Sequence, residues 1–217
     1  MVLDLRRWCA GLATAAACLG AVGLAVSVAG SAPFRYVSES GVAGAPHAGL
    51  YRASMLLLAA SLALLAVPAR HTLSFPVRIG GLVLAPMAMV SGLGGLTLAV
   101  AAPLAGLSGL VTCSPGCPLP PYETPTANDL VHAAGAIGAL LLLALVMLLY
   151  ATQPDATALR RVGRFGILVA YPPLILSAAG IALLGRGLFT GLMERTALVA
   201  VSAWLIMTAA LHIRGKP

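Results

Sequence analysis

Six stretches of this chain are long and apolar enough to cross a bilayer, and that recurrence decides most of what it can fold into. A helix needs about 20 apolar residues to cover the hydrocarbon core. Hydropathy along the sequence predicts spans at about 8–30, 50–67, 79–101, 129–151, 166–185 and 196–213. A further apolar stretch covers 103–111. It finishes the third span, re-enters the bilayer or lies along its surface. The expected fold class is all-α, a polytopic membrane helical bundle forming one domain over 1–217. Its long outer loops fall at 31–49, 102–128 and 186–195.

Composition supports this reading. Hydrophobic residues make up 60% and charged residues 9%, against roughly 25% charged in a soluble domain, whose surface must face water. The net charge of +7 does not point to nucleic acid, because the arginines sit in short gaps between apolar runs. There they set topology, since cytoplasmic loops carry the excess of basic residues. Arg6 and Arg7 precede span one, and Arg70 and Arg78 separate spans two and three. Arg160, Arg161 and Arg164 separate spans four and five, and Arg214 and Lys216 follow span six. These segments alternate, so both termini are expected in the cytoplasm. The first run has Arg6 and Arg7 in front and small residues at 29–32, as a signal peptide has. Its apolar stretch exceeds the usual 7–15 residues of a signal core, so it is read as a span.

Hardly any ionisable residue lies near the centre of a span. That argues against an ion-coupled transporter, which places Asp, Glu or His there. Small residues abound within the spans, among them Gly92, Gly94, Gly95, Ala134, Gly138, Ala178 and Gly180. They permit close helix approach, or a groove for a lipid tail. Pro172 and Pro173 should kink span five, where two backbone donors are missing.

The polar residues gather on the outer face. Cys113 and Cys117 flank a Pro-Gly turn, and outside the cytoplasm such a pair is expected to be oxidised. Cys9 and Cys18 lie in span one as packing residues. Asn128 is the expected N-cap of span four, and Asp129 suits the positive helix terminus. His132 is one turn further in, and His47 starts span two. His47, Asp129 and His132 could supply three zinc ligands with an open fourth position, or hydrogen-bond one another with Ser38, Glu39 or Ser40. Glu194 and Arg195 stand at the outer start of span six, with Glu39, Glu123 and Asp129 as possible partners of Arg195. Arg52 lies a turn inside span two and needs a partner or a headgroup phosphate. His71 and His212 are expected to be solvated at the cytoplasmic interface.

The stretches 36–41, 129–132 and 191–195 resemble those of the bacterial membrane family catalogued as domain-of-unknown-function family 998, similar to the Frag/DRAM/Sfk group. The resemblance spans nearly the whole chain. It implies a six-helix bundle in a bacterial plasma membrane with its polar signature on one face, and no particular reaction. Two functions follow as expectations. The first is a membrane protein without cofactor that binds a lipid or a membrane partner through its outer face. The second is a zinc-dependent membrane-embedded lipid hydrolase sited at the outer ends of spans two and four.

Overall fold

The computed structural model describes residues 2–70, 78–79, 82–83, 92–153 and 156–214. Six helices account for nearly all of them: α1 (Val2–Ala29), α2 (Ala48–Ala69), α3 (Leu93–Leu110), α4 (Ala127–Ala151), α5 (Thr157–Leu184) and α6 (Leu188–Ile213). All six are long and apolar enough to cross a membrane. A short 3-10 helix (Val37–Gly41) lies between α1 and α2. Between α2 and α3, β1 (Arg78–Ile79) pairs antiparallel with β2 (Leu82–Val83).

Each helix packs on its neighbours in sequence, and α6 returns to pack on α1. The helices therefore close into a ring. The outward faces carry large apolar side chains such as Leu19, Leu141, Leu168, Leu183 and Val199. In lipid this costs nothing, because acyl chains are as apolar as leucine. Trp204 and Tyr150 fill the interior, both fully buried, with ring centroids 6.2 Å apart. Polar bonds staple neighbouring helices. Ser61 Oγ on α2 donates to Ala13 O on α1 at 2.8 Å, and Tyr171 OH on α5 donates to Ala144 O on α4 at 2.6 Å.

The third span differs from expectation. Helix α3 covers Leu93–Leu110 rather than 79–101. Residues 78–79 and 82–83 are committed to the two-residue ladder, so the helix starts later and absorbs 103–110. Pro103 sits inside it, exposed at the ring's outer surface, so the missing donor interrupts no interhelical contact. The outer loops shrink accordingly, the second to 111–126 and the third to 185–187. Helix α5 begins at Thr157, taking Arg160, Arg161 and Arg164 into its first turns, and continues through Pro172 and Pro173.

His212 is buried rather than solvated, 6% exposed. The last turn of α6 faces the ring interior, where the His212 ring lies 6.5 Å from that of Tyr150. Its Nδ1 stands 2.8 Å from Thr208 O. His71 and Lys216 lie outside the described residues.

Gly163 makes the α4–α5 contact possible. A Cβ there would come within 2.7 Å of Met147 O and nearer still to the backbone nitrogen of Ala151. Backbone cannot swing aside, so the helices would have to separate. Gly163→Ala is expected to destabilise the bundle by about 1–3 kcal/mol, the usual cost of overpacking. Thermal unfolding in detergent measures it; an unchanged midpoint would contradict this packing.

Candidate functional site

Three connections, 30–47, 111–126 and 185–187, meet at one end of the ring, and almost every polar residue singled out from the sequence belongs to that end. Its organising group is the Asp129 carboxylate, 1% exposed. Oδ1 accepts from Ser114 N at 2.6 Å. Oδ2 accepts from Ser114 Oγ at 2.6 Å, and from the backbone N and Oγ1 of Thr126, both at 2.7 Å. Asp129 therefore closes a capping box on α4 and ties down the loop containing Ser114. The N-cap is Thr126, not Asn128. A β-region backbone at Thr126 lets its hydroxyl accept from Asp129 N at 3.3 Å, whereas Asn128 is already helical. The Thr-x-x-Asp pattern at 126–129 was the available signal.

Cys113 and Cys117 are joined as a disulfide, with Cα atoms 5.0 Å apart, inside the range a disulfide needs. Cys9 and Cys18 are free thiols in α1. The five-residue ring would contribute about 2 kcal/mol in the chain-entropy account. Asp129 grips the same loop at Ser114, and Arg186 Nη2 donates to Gly116 O. The double variant Cys113→Ser, Cys117→Ser is therefore expected to fold, with stability lowered by at most about 2 kcal/mol. A melting curve of the double variant checks this; failure to fold would contradict it.

The 3-10 helix is held from three sides. Glu39 Oε1 accepts from Tyr36 N at 3.0 Å. Glu194 on α6 accepts from Val37 N at 2.9 Å. Arg52 on α2 donates through Nε and Nη2 to Gly41 O at 3.1 and 3.0 Å, so its partner is a carbonyl of its own chain. Ser38 stands beneath the disulfide, its carbonyl 3.9 Å from Cys113 Sγ. Ser40 is buried and its hydroxyl has no hydrogen-bond partner among the described residues.

Arg186 also belongs to this cluster. It pairs with Glu123 at 2.9 Å and lies 3.8 Å from Glu39. It also sits 5.7 Å over the Tyr36 ring. Burial, with Glu123 and Glu194 nearby, pushes the Tyr36 phenol up to about 12, so the ring stays neutral near pH 7. Arg186 follows Gly185, whose φ of +69° makes the α5–α6 corner. That corner was the signal, since it aims the next side chain inward over the loops.

Arg195 reaches the connection from α1. Nη1 donates to the carbonyls of Pro33, Arg35 and Gly191 at 3.1, 2.8 and 3.0 Å. Nη2 donates to Ser31 Oγ and Ala32 O at 2.9 and 3.0 Å. It binds none of the carboxylates considered for it.

The candidate zinc ligands are placed apart in role. His47 is the exposed N-cap residue of α2, without a side-chain cap bond. His132 is buried with Nδ1 2.9 Å from Val111 O. Asp129 has its lone pairs engaged by Ser114 and Thr126. Among the described residues, no three His, Cys, Asp or Glu side chains form a group able to hold a metal ion.

Two concavities touch this end. A shallow bowl of about 590 Å³ lies against the disulfide loop, lined by Thr112, Cys113, Ser114, Thr126 and Asn128 among others. The hydroxyls of Ser114 and Thr126 there are already bound to Asp129. The second is an apolar groove of about 620 Å³ between α1 and α6. Ala21, Ala25 and Ala29 form one wall, and Leu198, Ser202, Ala203 and Ile206 the other. Ser31, Pro33, Val37 and Arg195 close its polar end. Three alanines four residues apart share one helix face, and their small size leaves this space.

No family model, curated protein or solved structure matches the chain. The fold and the polar end define a multi-pass membrane protein with one elaborated face.

Proposed function

We propose that this protein binds a membrane lipid through its polar end, which faces the outside of the cell, with one acyl chain lying in the α1–α6 groove. The continuity between that groove and the Arg195 rim carries the reading. From Arg195 to Ile206 the groove runs along α6 for about 16 Å at the helical rise. That is about half of the ~30 Å hydrocarbon thickness, the depth of one leaflet. Its volume of about 620 Å³ falls in the range of sites that hold small molecules. A partner helix would bury a stripe through both leaflets, and this groove ends midway.

The orientation rests on charge. Arg6, Arg7, Arg70, Arg160, Arg161, Arg164 and Arg214 surround the opposite end, as cytoplasmic segments require. The disulfide suits an oxidising exterior. No observation favours the hydrolase: Asp129 and His132 are held in separate structural bonds, and His47 is exposed and forms no group with them.

Native mass spectrometry of protein released from detergent tests the reading. Ala203→Phe fills the groove, and Leu168→Trp adds equal bulk on the outer surface of α5. Bound lipid is expected to fall about tenfold in the first variant, a loss of about 1.4 kcal/mol in affinity, and to stay unchanged in the second. Equal retention in both would refute the groove. A stable dimer lost on Ala203→Phe would show that a second copy occupies it instead.

A further inference from the structure

The charges around the groove's polar end are not evenly placed, and this deepens the lipid reading above, on which it rests. Four arginines and four carboxylates share the polar end. Glu123 is engaged by Arg186. Glu39 is turned toward Tyr36 N and Arg186. Asp129 is buried beneath the disulfide loop. Glu194 points at Val37 N and does not line the groove. The charged side chain that does line it is Arg195. All five of its bonds go to neutral oxygens, and among the described residues no carboxylate lies within salt-bridge distance of it. Its positive charge is therefore met by no direct ion pair, and the opposing charge of Glu194 interacts with it only through space.

A second cation is joined to this rim through its backbone, although its side chain does not line the groove. Arg35 gives its carbonyl to Arg195, and its own side chain is 56% exposed, with one loose contact of 4.0 Å to Glu39. Glu39 also faces Arg186, so Arg35 can leave it at small cost. Arg195 is thus a fixed guanidinium whose Nη groups are engaged, and Arg35 an exposed one with donors to spare. Planar guanidinium forks suit phosphate oxygens. We infer that the α1–α6 groove selects an anionic phospholipid, with its acyl chain between the alanines of α1 and α6 and its phosphate between Arg35 and Arg195.

The test uses delipidated full-length protein in detergent, titrated with phosphatidylglycerol and with phosphatidylcholine of identical acyl chains. A basic residue near an anionic headgroup is worth about fivefold in affinity. Phosphatidylglycerol is expected to bind at least about fivefold tighter. Arg35→Gln should lower that preference about fivefold while leaving phosphatidylcholine binding unchanged. Arg35→Lys should retain most of the preference. Equal affinity for both lipids in the wild type, or a preference untouched by Arg35→Gln, would overturn the headgroup assignment. Ala203→Phe separates the two levels. If it blocks both lipids while neither is preferred, the groove stands and the charge selection fails. If it blocks neither, the groove itself is wrong and the selection falls with it.

Discussion

Asp129→Ala is expected to be the most damaging single substitution at the polar end, costing about 4 kcal/mol. The carboxylate accepts four hydrogen bonds, and bonds to a charged partner are worth about 1.5–3 kcal/mol each when removed singly. They share one group and are not additive, so the sum is an upper bound. What remains after truncation is worse than a lost attraction. The backbone N–H groups of Ser114 and Thr126 keep no acceptor, α4 loses its capping box, and the disulfide loop loses its tether to the helix. Asp129→Asn retains an acceptor and should cost about half as much. Unfolding in detergent, followed by far-ultraviolet circular dichroism, gives both values. The ranking is itself a test: Asp129→Ala should destabilise more than removal of the disulfide. The reverse order would mean that the covalent link, and not the carboxylate, organises this end.

Arg195→Ala has the second large effect, on order and on ligand together. Four bonds tie α6 to residues 31–35 and a fifth goes to Gly191 within α6, and the acceptors are mostly carbonyls close to the surface. Water can reach some of them, so the expected cost is about 2–3 kcal/mol, below that of Asp129. Amide exchange should rise at Tyr36 and Val37, whose segment loses its anchor. Lipid retention should fall with it, because the rim of the groove is built from the same contacts. Arg195→Lys keeps the charge but cannot span five acceptors. It should recover part of the lipid binding and little of the exchange protection. Unchanged exchange in Arg195→Ala would show that Glu194 and Arg52 hold the segment alone.

The number and type of the helices were readable in the sequence, because lipid demands long apolar runs and leaves no alternative for the backbone. The start of α3 was not. Hydropathy cannot tell an apolar strand at 82–83 from the first turn of an apolar helix, and the run from 79 onward satisfied both. At the polar end, residue types were a sound guide and partners were not. Glu194, Arg195, Arg52 and Asp129 all sit at the cluster predicted for them. Three of them, Glu194, Arg195 and Arg52, bind backbone groups of distant loops, and those positions are set only when the ring closes. His47 and His132 shared an outer address without sharing a function. Small residues in spans three to five allowed for a groove, but its place between α1 and α6 was not legible, for the same reason. Ala21, Ala25 and Ala29 mark a smooth helix face, but the space exists only because α6 returns to α1 with Ser202 and Ala203 opposite.

A lipid chain filling that space is what the proposed function requires. Electron cryomicroscopy of the protein in a lipid nanodisc, at a resolution that separates acyl chains from side chains, observes it directly. The expected result is a continuous tube of density between α1 and α6, running from Arg195 to Ile206 with its head beside Arg35. A groove closed by its own side chains, or occupied by a helix of a second copy, would contradict the account.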